Sequence, residues 1–327
     1  MISLTTNGHR INEDMVGFLQ EALPVEINLS LNSATIRGRN ILMGDNEDQA
    51  KKAIKSIELL HDHGIPFHGS IVAMPHLVGW EDLRETIAFL DHHKALTIRV
   101  LMAGYAKNAD PVLKFNPEMM HRKLGDFVSR LAEKALCPIL LEPPLINDLK
   151  PITAGVIQGS RADRAGVKRG DLILDINGRM PRSRVEAWQF AQEPGNIRMK
   201  VEIRGLVKEL VWQNKGKEKS GLVMEYDFDM KRWDKIESII NRFSGPILIL
   251  CSKLAQNVIE ALGKTVEQPG FLDIQPVKNN FFGGSIGAAG LLTVNDFDAA
   301  YLQYRERKNK PELILLPGEA FDYLGRD

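Results

Sequence analysis

Thiols are almost absent from this chain: Cys137 and Cys251 are the two cysteines among 327 residues. Neither stands in a CxxC pair or next to histidine at metal-ligand spacing. That excludes a disulfide framework and a cysteine-rich metal site, and suits a reducing compartment. Each flanks an apolar strand, where a cysteine serves as a small buried hydrophobe. Net charge is lacking too, since forty-two basic residues balance forty-two acidic ones. No global field therefore draws in nucleic acid or an anionic membrane. No apolar run approaches the roughly 18 residues of a transmembrane helix. Residues 1–20 have neither the basic start nor the long apolar stretch of a signal peptide. The expectation is a cytoplasmic protein with no nucleic-acid and no membrane partner.

What is present is a strand–helix rhythm. Strands are predicted over 1–6, 25–31, 66–73, 96–102 and 137–143, and helices over 12–22, 46–63, 80–93 and 117–135. Connections of a few residues imply a parallel sheet or part of a (β/α) barrel. About five strands is short of the eight that close a full barrel. MISLTTNG opens on a finished strand, which suggests that something belongs upstream of Met1 and that residues 1–6 leave an exposed edge able to recruit a partner strand. Pro143, Pro144 and Pro151 mark a linker. Residues 151–214 turn into short β-rich runs broken by Gly-Ser, Arg-Gly and Asn-Gly turns. Residues 218–327 return to α/β, with LVMEYDFD, PILIL, FLDIQPV and ELILLP as strands. The fold class is thus α/β: a partial (β/α) barrel over 1–145, a small β-rich domain over 151–214 and a C-terminal α/β domain over 218–327.

Polar residues gather where the first strands end: Thr5, Thr6 and Asn7; Ser30, Asn32 and Ser33; Gly69 and Ser70; Gly104 and Tyr105. Ligands of parallel α/β architectures bind at the carboxyl ends of strands. Any one of these residues could equally cap the next helix. Four strand ends with the same bias favour a face for a ligand carrying a ribose or an amino-acid head. His61, His63, His92 and His93 lie near helix ends, where cations are ordinary, and the i, i+2 spacing argues against a metal pair.

TTNG closing one strand, SLNSATIRGR after the next and then GSIVAMP resemble the later strands of radical S-adenosylmethionine enzymes. The resemblance implies that Thr6, Asn7, Ser30, Asn32 and Ser70 contact S-adenosylmethionine. It also implies a 4Fe–4S cluster, yet the CxxxCxxC loop that ligates it in that family is absent here. Such clusters need converging thiolates. This chain alone is therefore expected to be inactive in radical chemistry.

AGVIQGSRADRAGVKRGDLILDING (154–178) resembles a bacterial PDZ domain. A PDZ edge strand takes up an extended peptide by β-augmentation; the candidate edge is Ile152, Thr153, Ala154, Gly155, Val156 and Ile157. A Gly-hydrophobic-Gly carboxylate loop is missing before it, so an intramolecular packing role stands beside peptide capture. Trp188 reads as core. In the last module, VKNNFFGGSIGAAGLLT places Asn280, Gly283 and Gly284 in a glycine-rich loop that could approach an anion. It lacks the GK[ST] of a P-loop and the GxGxxG of a dinucleotide fold, and Phe281 and Phe282 read as core. This run, with ELILLPGEAFDYLGRD, resembles the domain of unknown function found at the C-terminus of PDZ-containing radical S-adenosylmethionine proteins.

These features leave three readings. The chain is the C-terminal portion of a radical S-adenosylmethionine iron–sulfur enzyme of undefined substrate. Alternatively it is a PDZ-type peptide-binding or scaffold protein without catalysis, or a cluster-free relative that kept the fold for regulation or assembly.

Overall fold

A computed structural model describes residues 2–22, 24–216, 219–266 and 271–326. Its first sheet holds β1 (Ile2–Thr6), β2 (Val25–Ser30), β3 (Phe67–Ala73), β4 (Ile98–Met102) and β5 (Ile139–Glu142), all parallel and in chain order. Between them run α1 (Glu13–Glu21), α2 (Ile36–Met43), α3 (Glu47–Asp62), α4 (Pro75–Val78), α5 (Trp80–His92) and α6 (Pro117–Ala132). The starts obey sequence chemistry. Asn12 and Asn116 cap α1 and α6, and Asn46 forms a capping box with Gln49 on α3, satisfying amides that a helix leaves open. The polar α2 is unexpected, because SATIRGRN shows no apolar period. It is held instead by its Thr35 cap and stopped by Gly44 in the left-handed region.

Strand parity decides what each face of this sheet is for. Val25, Ile27 and Leu29 of β2 and Phe67, Ile71 and Ala73 of β3 are buried, whereas Glu26, Asn28, Ser30, His68 and Ser70 between them are only half-buried. The buried set meets Val16, Leu19, Ile57, Leu60, Leu83, Ile87, Leu90 and Leu124 from the helices in one core. Gly69 lets α5 come close, since a Cβ there would stand 2.7 Å from Leu90. All-parallel sheets ordinarily have helices on both faces. Here helices cover one face and the other stays polar, as the inner wall of a partial (β/α) barrel would be.

The β-rich module contains β6 (Gly155–Val156), α7 (Arg161–Ala165), β7 (Leu172–Ile176), α8 (Arg184–Ala191), β8 (Gly195–Ile203) and β9 (Leu206–Asn214). β7, β8 and β9 form an antiparallel meander. β6 pairs instead with β10 (Leu222–Val223), which lies beyond the expected boundary at 214. The predicted strand LVMEYDFD is thus only these two residues, and they serve the middle module. Trp212 is the buried tryptophan of its core; Trp188 is 40% exposed, against expectation.

The last module sets α9 (Met230–Ile240), β11 (Ile247–Ser252), α10 (Gln256–Gly263), β12 (Leu272–Val277), α11 (Val294–Arg305) and β13 (Leu313–Leu315) into a parallel sheet of order β12–β11–β13. Every residue of β11 is buried, as a central strand with helices on both faces requires. Ile247, Ile249 and Cys251 face α9 and α10; Leu248 and Leu250 face α11.

These packings predict unequal costs. Phe67→Ala, removing a fully buried ring, should destabilise the chain by about 3–5 kcal/mol. Leu206→Ala, at a residue 68% exposed, should change stability by no more than about 0.5 kcal/mol. Urea unfolding of the two variants measures both.

Candidate functional site

The open face of the first sheet is laid out in two tiers. Toward the carboxyl ends, Ser30 and Ser70 stand opposite each other in register with their hydroxyls 3.0 Å apart. Beside them Thr5 pairs with Asn28, and Asn28 donates to the Ser3 hydroxyl at 3.1 Å. Toward the amino ends the face is charged. Glu26 meets His68 at 3.2 Å and Lys219, from the segment that leads into β10, at 2.9 Å. Level with the serines, Arg99 of β4 is in register with Ser70 and holds Glu142, at the end of β5, with two hydrogen bonds of 2.5 Å. The Lys219 contact lowers the Glu26 pKa, and burial pushes that of His68 down despite Glu26. The charged groups at both levels are paired with one another, so hydroxyl and amide groups are the neutral partners that this face offers a ligand.

The five residues expected to contact a cofactor separate here. Ser30 and Ser70 lie together on the open face. Asn32 sits at φ 61, where its Oδ1 accepts from the Val72 amide and its Nδ2 donates to the Met43 sulfur, both at 2.8 Å; it pins the end of β2 to β3. Thr6 is in register with Leu29, on the helix side, and its hydroxyl accepts from the Gly8 amide at 3.1 Å. Asn7 is exposed and bonds to His9. Thr6 and Asn7 therefore shape the turn after β1, and Thr5 is the residue of that strand end that faces the open side. Period-two counting from Ile27 and Leu29 carries that signal; the motif alone hides it.

Behind the turn lies a cluster that sequence reading missed. Arg39 is fully buried and donates to Asp45 at 2.7 Å and to the Leu31 carbonyl, while His9 stands 3.0 Å from Asp45 and 3.2 Å from Arg39. Burial alone would raise the Asp45 pKa, but hydrogen bonds from His9 and Arg39 outweigh it and hold the carboxyl below its usual range. The cluster ties the turn after β1 to α2 and fixes the strand ends that frame the open face. A second polar knot joins Asp82 to Ser33 at 2.9 Å and to Thr35 at 2.6 Å.

The expected anion loop has another occupation. Lys107 N–H donates to the Phe282 carbonyl at 2.7 Å, Ser285 N–H to the Tyr105 carbonyl at 2.9 Å, and Lys107 Nζ to the Asn280 carbonyl at 2.8 Å. The amides of Phe282 and Gly283 are taken by Asn279 Oδ1, and that of Asn280 by Asp296. Gly284 lies at φ 62, and a Cβ there would come within 2.2 Å of the Tyr105 carbonyl. Asn280, Gly283 and Gly284 thus form a clasp between the last module and the loop after β4, with the amides of Asn280 and Gly283 bonded within the last module. Phe281, read as core, is 60% exposed on this clasp.

A cavity of about 840 Å³ opens where β11 and β13 end, lined by Ile146, Phe228, Trp233, Ile259 and Leu316, with the Arg232–Glu319 ion pair at 3.0 Å among its walls. Strand order reverses there, the usual position of a crevice in an open α/β sheet. Its walls come from five separate segments, so no local motif marks it.

Residues 1–90 match the radical SAM superfamily. The chain carries a radical SAM domain. Residues 152–204 match a PDZ domain, a module class that receives peptides on a strand edge. Among solved structures, the chain is similar to SuiB of Streptococcus suis at 20% identity, with 43% of this chain and 32% of that one covered and a TM-score of 0.36. The same protein bound to its precursor peptide SuiA gives 19%, 43%, 31% and 0.35. Native anSMEcpe with bound AdoMet gives 16%, 46%, 45% and 0.32. The chain spans about a third of the length of SuiB.

The iron–sulfur cluster that this superfamily implies does not fit the residues present. Cys137 lies in the core of the radical SAM domain and Cys251 in that of the last module. Burial raises both thiols, that of Cys137 far above its ordinary range with help from Asp91 and that of Cys251 to about 12. Neither is a ready thiolate. Among the described residues no three His, Cys, Asp or Glu side chains are grouped to hold a metal, and no helix is long and apolar enough to cross a membrane. The rings of His61, His92 and His93 meet edge to face.

Asp45 offers a test of the frame. Asp45→Asn should cost about 3–5 kcal/mol by leaving Arg39 buried beside a neutral partner. A carboxyl depressed in the folded state adds stability above its unfolded value, near pH 4, that is lost as pH falls through the folded value. Denaturant unfolding across that range should show a steep acid loss in the wild type and a flatter one in the variant.

Proposed function

We propose that this chain is the later portion of a radical SAM enzyme, in which the upper tier of the open face holds the nucleoside part of S-adenosylmethionine. The observation that carries the reading is the Ser30–Ser70 pair, set among Thr5 and Asn28 on a sheet face that helices leave bare. Hydroxyl and amide groups of this kind bond to ribose hydroxyls without any net charge. Asn32, Thr6 and Asn7 support the site by fixing the strand ends around it. S-adenosylmethionine supplies an adenosyl group when bound; the contribution of these residues is to hold and orient it. The cluster needed for reductive cleavage requires thiolates other than Cys137 and Cys251, so this chain alone is inactive in radical chemistry. In this reading the modules run over 1–145, 151–214 and 218–327, with the pairing of β10 and β6 supporting an extension of the second to Val223.

Saturation-transfer NMR with S-adenosylmethionine tests the site. The wild type should give signals strongest on the ribose protons, and the double variant Ser30→Ala, Ser70→Ala should lose roughly tenfold in affinity, about one hydrogen bond's net worth or more. Equal signals from both proteins would remove the assignment. Anaerobic treatment with iron and sulfide should yield no stable charge-transfer absorbance; a durable cluster on the wild-type chain would contradict the argument from Cys137 and Cys251.

A further inference from the structure

The edge expected to receive a peptide, Ile152–Ile157, is bonded on both sides. Thr153 N–H donates to the Asp171 carbonyl at 2.9 Å and Ile152 bridges to Leu172. On the other side Ala154 N–H donates to the Val223 carbonyl at 3.0 Å and Ile157 N–H to the Gly221 carbonyl at 2.9 Å. There β10 lies antiparallel to β6, in the manner of an added strand, and packs against α8.

The seat is built for this segment. Ser220 is fully buried and exchanges two hydrogen bonds with the Gln192 side chain, at 2.8 and 2.9 Å, while its carbonyl accepts from Ala162 N–H at 3.0 Å. Leu222 is buried in the same core as Ala162, Val167, Ala187 and Ala191. Gly221 holds φ +85, and a Cβ on it would fall 2.1 Å from the Ser160 Cβ, so a residue with a side chain cannot take its place. A few residues on, the buried Asp227 carboxylate accepts from the amides of Arg184 and Val185 at the start of α8, at 2.8 and 3.1 Å.

We infer that the ligand of this PDZ groove is the chain's own Ser220–Val223 segment. The groove selects an internal extended stretch with glycine preceding an aliphatic residue; it does not read a terminal carboxylate, since the chain runs on through Met224. The module is therefore a joint. Its bound strand enters from Lys219, paired with Glu26 of the radical SAM domain, and leaves through Asp227 into α9. Arg184 completes the joint by also donating to Asp148 Oδ1, in the linker that leads into the module, at 2.8 Å. A tethered strand competes at an effective concentration in the millimolar range, so free peptides of ordinary affinity are excluded. The inference rests on the PDZ pairing alone and stands or falls apart from the S-adenosylmethionine site.

The test is fluorescence anisotropy with a labelled synthetic peptide of residues 219–225, added to the full chain. The Gly221→Val variant, whose side chain should expel the strand, should bind this peptide at least about 100-fold more tightly than the wild type. Equal binding by the two proteins, or binding by neither with the variant shown folded by circular dichroism, would overturn the inference. If the variant does not fold, hydrogen exchange of the wild type decides. The Ala154 and Ile157 amides should exchange as slowly as those of β8; exchange at loop rates would refute a seated strand.

Discussion

A parallel sheet with helices on one side must do something with the other. In the radical SAM domain that constraint sets the character of both faces. The helix side absorbs the aliphatic residues of β2 and β3 into one core, and the open side is left with serine, threonine, asparagine and charged groups. Bare polar backbone and side chains on a sheet face need either water or a ligand to satisfy them. The charged groups, Glu26 with His68 and Lys219 and Arg99 with Glu142, satisfy one another through ion pairs. The hydroxyls and amides around Ser30, Ser70, Thr5 and Asn28 carry no charge, and there we place the binding capacity.

The other two modules are placed by contacts to this domain. The PDZ module lies near the amino ends of the strands, where Gly155 is so close to Pro138 that a Cβ would stand 2.6 Å from it. The last module reaches the carboxyl end of β4 through the glycine-rich clasp onto Tyr105 and Lys107. Between these two contacts the linkers on either side of the PDZ module converge on Arg184, whose guanidinium meets Asp148 and Asp227 together. A buried arginine with two carboxylates is costly to break from one side, so it acts as a fixed pivot. The arrangement leaves the open face between a plugged lower end and a clasped rim.

Much of this is legible in the sequence, and the failures have physical reasons. Five strands and the helices over 12–22, 46–63, 80–93 and 117–135 come from period and caps, because those signals are local. Ser30 and Ser70 fall on one face because they lie on strands whose parity is unambiguous. The sequence motif favours Thr6 over Thr5 because a motif does not report parity, and the register with β2 does. Arg39, Asp45 and His9 escape notice because their association spans 36 residues of chain and uses no motif. The glycines at 283 and 284 announce close backbone approach, which the structure shows toward Lys107 and Tyr105. LVMEYDFD looks like the first strand of a new domain, yet Gly221 and Leu222 fit only the groove of the preceding one. Long-range pairing, not propensity, decides each of these.

The central claim is that the bare upper tier of the sheet is the ligand face of the chain. Amide chemical-shift mapping of the full, isotope-labelled protein during an S-adenosylmethionine titration tests it most directly. The account predicts saturable shifts confined to residues near Thr5, Asn28–Asn32 and Gly69–Val72, with the PDZ groove and the cavity between β11 and β13 unmoved. Shifts centred on that cavity, or none anywhere, would contradict it.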